Sequence, residues 1–141
     1  TAFETLRIRT LKHSPARPKV FLLNYGNPKW ASARAAFSAN FFGCAGYEII
    51  QPDPFHSVRE GVNSALKAGA SLIVLCSPDE EYPVIAPETV TFVKNNSIIV
   101  IAGFPKENIE YLKSCGIQHF IHVNSNILVE LEKFHALLGI K

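Results

Sequence analysis

Hydrophobic and polar positions along the chain follow two alternating patterns. Five short runs are apolar almost without interruption and rich in β-branched and aromatic residues: Lys19–Asn24, Tyr47–Gln51, Ser71–Cys76, Ser97–Ala102 and Gln118–Val123. Such runs suit strands covered on both faces, and therefore a central, mostly parallel sheet. Between them the apolar residues recur at helical spacing. Val58, Val62, Ala65 and Leu66 form one stripe, Ile127, Leu131, Phe134 and Leu138 another, and Trp30, Ala33, Phe37 and Phe41 a third. Gly69 and Gly116 stand where helices end before the next strand, and Asn124-Ser125 offers capping side chains ahead of the last helix.

This alternation predicts an α/β fold, a doubly wound three-layer sandwich with a five-stranded parallel sheet in the flavodoxin-like order 2-1-3-4-5. Residues Thr1–His13 predict a separate helix with Phe3, Leu6 and Thr10 on one face, and the Pro-punctuated stretch Ser14–Pro18 links it to the first strand. The division is thus residues 1–17 as helix and connector and 18–141 as the sandwich.

Composition narrows the function. The chain has 141 residues, a formal net charge of +2 and only 18% charged residues, so it lacks the field that binds nucleic acid or an anionic membrane nonspecifically. Its apolar runs fall well short of the ~20 residues a membrane span needs, and no signal-peptide pattern opens it, so a cytoplasmic protein is expected. Three widely spaced cysteines, Cys44, Cys76 and Cys115, fit reduced thiols better than a disulfide framework or a zinc site. With Thr1 first and no Met, the sequence reads as a processed chain or a piece of a larger one.

In an open sheet of this kind ligands bind where the strand order reverses, beyond the carboxyl ends of the first and third strands. Three loops meet there: Asn24–Trp30, Cys76–Glu81 and Ala102–Lys106. The first has a single glycine, Gly26, followed by Pro28, which has no N–H to offer. That disfavours dinucleotide, P-loop and flavin phosphate sites. A phospho-acceptor site would need carboxylates where Asn24 and Cys76 stand. Cys76 is either a buried structural thiol or a nucleophile activated from a distance, with His56 the nearest candidate base in the sequence. His119 and His122 are three positions apart on one strand, which sets them on opposite faces and argues against a shared metal. Asp79, Glu80 and Glu81 read as a solvated helix start, and Trp30 as a core or interface anchor.

The order of elements, with these loops, resembles the cobalamin-binding domain of adenosylcobalamin mutases, methylmalonyl-CoA mutase in particular, from Arg17 to Gly139. In that family the first loop reads D-x-H-x-x-G, in which the His coordinates cobalt, the Asp orients the His and the Gly gives the cofactor clearance. Laid on this sequence, the motif places Asn24, Gly26 and Lys29 at those three positions. Loss of the orienting carboxylate alone typically costs 10–100-fold in metal affinity or activity. The family's S-x-L becomes Cys76-Ser77-Pro78, and its Gly-Gly becomes Ala102-Gly103, which adds a Cβ.

Several stretches resemble more narrowly the C-terminal domain of the mutase's small subunit: Arg17-Pro-Lys-Val-Phe-Leu22, Ala33-Arg-Ala-Ala-Phe37, Asn40-Phe-Phe42, Leu75-Cys-Ser77, Asp79-Glu-x-Tyr82 and Phe134-His-Ala-Leu-Leu-Gly139. This resemblance implies a domain with no catalytic residue and a degenerate cobalamin pocket at Asn24, Gly26, Lys29, Cys76, Pro78, Ala102 and Gly103. It also implies no bound cofactor or metal, an acyl-CoA-binding barrel domain upstream, and a partner large subunit that carries adenosylcobalamin and interconverts methylmalonyl-CoA and succinyl-CoA. Its own role would then be assembly. Two rivals stand beside it: a cobalamin carrier or sensor using His56 or Lys29 as ligand, and a Cys76-dependent enzyme acting on a small molecule.

Overall fold

The computed structural model describes residues 1–13 and 16–141; Ser14 and Pro15, part of the expected link, lie outside the described residues. Five parallel strands, β1 (Lys19–Asn24), β2 (Glu48–Ile50), β3 (Leu72–Cys76), β4 (Ile98–Ala102) and β5 (His119–Ile121), form one sheet in the order β2-β1-β3-β4-β5. Each lies within the run that predicted it, and the fold is the expected flavodoxin-like sandwich. The helices are α1 (Ala2–Lys12), α2 (Pro28–Gly43), α3 (Val58–Lys67), α4 (Tyr82–Val93), α5 (Ile109–Ser114) and α6 (Ile127–Leu137). None is long and apolar enough to cross a membrane.

Strand residues alternate between two cores, as the period-2 geometry of a strand requires. Val20, Leu22, Leu72, Val74, Cys76, Val100 and Ala102 pack on one side with Leu6 of α1, Phe41 and Phe42 of α2, and Leu131 and Phe134 of α6. Phe21, Leu23, Ile73, Leu75 and Ile101 pack on the other with α3, α4 and α5. Both faces of β1 and β3 are covered, which explains their unbroken apolar sequence.

Local signals set the helix ends. Thr1 and Glu4 form a capping box on α1, Asn27 accepts from the Lys29 amide with Pro28 in the first turn of α2, and Ser57 caps α3. The last helix corrects one expectation. Its cap is Asn126, whose side chain accepts from the Val129 amide, while Ser125 instead accepts from the His122 amide and Asn124 donates its own amide to the His122 ring. The α2 stripe is also rotated from the one expected. Ala31, Ala35, Ser38, Phe41 and Phe42 face the core, whereas Trp30 is 54% exposed, so it is not a core anchor.

Helix α1 presents Leu6 and Thr10 inward, as its pattern predicts. It is tied down by a buried polar cluster around His135 of α6, itself 0% exposed. His135 Nε2 lies 3.1 Å from the Leu6 carbonyl, which can only accept, so Nε2 carries the proton and Nδ1 accepts from the Tyr47 hydroxyl at 2.6 Å. The Thr10 hydroxyl sits 3.3 Å from Nε2 and reaches the Ala45 carbonyl at 2.6 Å, while Arg9 pairs with Glu132 at 2.8 Å on the outer edge. Burial pushes the His135 pKa down and the Tyr47 pKa up, so both stay neutral.

Candidate functional site

The loops after β1, β3 and β4 meet at the carboxyl edge of the sheet, as the strand order dictates, and the α2 amino end completes the rim. Asn24 ends β1 directly beside Cys76, the last residue of β3. Asn24 is 7% exposed, and its Oδ1 has no hydrogen-bond partner. Cys76 is fully buried, with the Ser38 hydroxyl 3.9 Å from its sulfur; burial pushes its thiol up to about 12. A thiol so placed is held protonated at neutral pH, in keeping with the buried structural reading of Cys76. His56 lies exposed in the loop before α3, and the hydrogen-bond partners of the Cys76 sulfur among the described residues are Ser38 and Val74.

Gly26 follows Asn24 at φ +85°, a left-handed backbone that disfavours any side chain. A Cβ there would stand 3.3 Å from the Ser77 hydroxyl and 3.4 Å from both Pro78 and Glu81. The glycine is exposed, with the residues that follow β3 beside it. Lys29 is exposed in the first turn of α2. Ala102 is buried at the end of β4, and Gly103 adopts φ +133°.

The centre of this arrangement is Arg34, a residue that the loop motifs do not include. Its Nη1 donates to the Ser77 carbonyl at 2.6 Å and to Asp79 Oδ1 at 2.7 Å, with the Tyr82 hydroxyl at 3.4 Å. The guanidinium lies flat against Gly103, where a Cβ would come within 3.0 Å of its carbon. It sits 5.6 Å from the Tyr82 ring centroid and 5.9 Å from that of Trp30. Tyr82, buried at the start of α4, donates to the Ala102 carbonyl at 2.6 Å and accepts from the Ser77 amide at 3.2 Å. Burial opposes the charge of Arg34, but Tyr82 and Asp79 outweigh it and raise the arginine pKa. Asp79 is thus an ion-pair partner and not merely a solvated helix start. The one cation among the small residues Ala31–Ala36 was the available sequence signal for this cluster.

Beside Arg34 runs an open groove of about 540 Å³ between α2 and the ends of β4 and β5, walled by Trp30, Phe37, Phe104, Ile121 and Val123. The His122 ring lies tilted 4.8 Å from that of Phe104, while His119 packs against Phe134 at 5.4 Å. No group of three or more His, Cys, Asp or Glu side chains converges on a metal-sized space among the described residues.

A search against family models found no match. Among curated proteins, the methylmalonyl-CoA mutase small subunit of Porphyromonas gingivalis (strain ATCC BAA-308 / W83) is 44% identical over 139 residues, 99% of this chain and 22% of that protein. This chain is homologous to methylmalonyl-CoA mutase small subunits. A second small subunit, from Streptomyces virginiae, is 40% identical over 85 residues, 57% of this chain and 14% of that protein. The chain therefore spans about a fifth, or less, of the length of the small subunits it matches. The homology agrees with the small-subunit resemblance carried by the loop positions and the flanking stretches.

Proposed function

We propose that this chain is the C-terminal cobalamin-binding-like domain of a methylmalonyl-CoA mutase small subunit, that it holds no cobalamin, and that it serves assembly with the large catalytic subunit. The chain then works in the cytoplasm beside an upstream barrel domain of its own subunit and takes no direct part in the isomerisation.

The observation that carries this reading is Gly26. At the position where the family places its cobalt-binding His there is no side chain, and the left-handed backbone at φ +85° disfavours one. A cobalt ion at that loop would lack its imidazole, and Asn24 would be a neutral substitute for the carboxylate that orients it. The residues present do not fit the cofactor, so no catalytic step is assigned here. A fold kept intact while its ligand position is lost is what an assembly role needs: the surface persists, the chemistry moves to the partner.

Absorbance titration with hydroxocobalamin and with adenosylcobalamin tests the first half; no spectral change at micromolar stoichiometric mixing is expected, and saturable one-to-one binding overturns it. Co-purification with a tagged large mutase subunit tests the second, and failure of the full small subunit to be retained overturns the assembly role.

A further inference from the structure

Helix α2 carries two apolar faces. Ala31, Ala35, Phe41 and Phe42 seat it on the sheet, whereas Trp30, Ala33 and Phe37, at i, i+3 and i+7, form a second stripe that walls the open groove of about 540 Å³. The far walls include Phe104 and Val123, which follow β4 and β5. Trp30, Phe104 and Val123 are 54%, 41% and 85% exposed, so large apolar side chains are left in water together at one place on the carboxyl edge. Small-molecule sites are clefts of roughly 300–1,000 Å³, mostly apolar with a few placed polar groups, and this groove has that form.

The polar groups along it are chiefly donors. The bonds of Arg34 to Ser77, Asp79 and Tyr82 all leave from Nη1, so the guanidinium has N–H groups beyond them. Lys106 brings an ammonium that pairs with no carboxylate among the described residues. His122 Nδ1 accepts from the Asn124 amide at 3.3 Å, which leaves Nε2 as its N–H donor. Asp79 is the one carboxylate on the lining among the described residues, and it is already bound to Arg34. Arg34 and Lys106 against Asp79 leave the groove one positive charge in excess.

We propose that this groove is a binding site for an aromatic carboxylate, its ring set among Trp30, Phe37 and Phe104 and its carboxylate met by Lys106 and Arg34. A planar ring packs on aromatic walls in offset or edge-on geometry, and an oxyanion takes charge-assisted hydrogen bonds from both cations. A neutral aromatic satisfies the walls alone. The site goes beyond the reading drawn from Gly26, which concerns cobalt; cobalamin titration and co-purification judge that reading separately.

Trp30 is the single tryptophan of the chain, so its indole N–H gives one cross-peak in proton–nitrogen NMR spectra and reports on the groove directly. Titration with 2-naphthoate is expected to shift that signal saturably at millimolar concentration or below. 2-Naphthylmethanol, with the same rings and no charge, is expected to bind roughly tenfold or more weakly, the effect of one hydrogen bond to a charged group. Lys106→Glu, at an exposed position, reverses the unpaired charge and should erase that preference while leaving the affinity for the alcohol unchanged. No saturable shift with 2-naphthoate, equal affinities for acid and alcohol, or a preference that survives Lys106→Glu overturns the proposal. So does a Trp30 signal that moves only when the large mutase subunit is added, which gives the groove to a protein partner.

Discussion

Two polar clusters lie within the same core layer and are built to opposite designs. Around His135 every participating group is neutral and hydrogen-bonded: Tyr47 to Nδ1, Leu6 and Thr10 at Nε2, and Thr10 onward to Ala45. Around Arg34 there is a formal charge, a carboxylate that is half exposed, and an adjoining buried Asn24 oxygen with no partner. A fully satisfied neutral network adds stability and fixes geometry, whereas an ion pair near the surface adds little and an unsatisfied group costs. The first cluster is a clamp for α1. The second ties α2 to the loop after β3 and the start of α4 at the carboxyl edge of the sheet.

The contrast can be broken first at His135. Replacing it by Leu leaves Tyr47 and Thr10 unsatisfied in the core, and a loss of about 2–4 kcal/mol is expected in urea unfolding, with early amide exchange in α1. A loss below about 0.5 kcal/mol would mean that the clamp is no clamp. Arg34→Ala is expected to cost less, about 1.5 kcal/mol by the same measurement, since the pair it breaks is only part-buried. A cost equal to that at His135 would erase the distinction between the clusters.

Acid sharpens the comparison further. Burial lowers the pKa of His135, with Arg9 and His13 adding to the effect and the Leu6 carbonyl and Glu132 opposing it; burial and Lys133 likewise lower His119, against Glu130. Below a pH of about 6.5 the unfolded chain therefore binds more protons than the folded one. The stability these residues contribute is complete above that pH and declines as pH falls toward their folded values. Denaturation midpoints at pH 7.5 and 5.5 should show this fall, and the His135→Leu variant should retain only the part due to His119. An identical slope in the variant would remove His135 from the account.

The smallest effect is expected at Asn24. Asn24→Leu removes a buried acceptor that has no partner, so thermal unfolding should be unchanged or improved by up to about 1 kcal/mol. A clear loss would show that Asn24 supports the fold in its own right.

Much of the scaffold was legible because its signals are local. β1 and β3 are apolar on both faces and announce themselves as inner strands; the α3 and α6 stripes, and the Leu6 and Thr10 face of α1, do the same for helices. Helix α4 was harder to read, since Pro83 and Pro87 interrupt its pattern, and α5 has only six residues. In α2 the residues Trp30, Ala33 and Phe37 make a convincing apolar stripe, yet they line the groove, while Ala31, Ala35 and Ser38 turn inward to the sheet. Small residues carry the close packing there, and small residues make weak patterns. The first loop was legible as one glycine followed by a proline, but the Arg34 cluster beside it was not.

The sequence by itself determined the five strands, their order class and the single-glycine turn after β1, because periodicity, turn chemistry and residue identity act over a few positions. Only the tertiary structure decided that Arg34, Ser77, Asp79, Tyr82 and Gly103 form one cluster, and that Leu6, Thr10, Tyr47 and His135 form another. These partners come from separate elements of the chain, and each hydrogen bond depends on how helices seat against the sheet, a property of packing that no local pattern encodes.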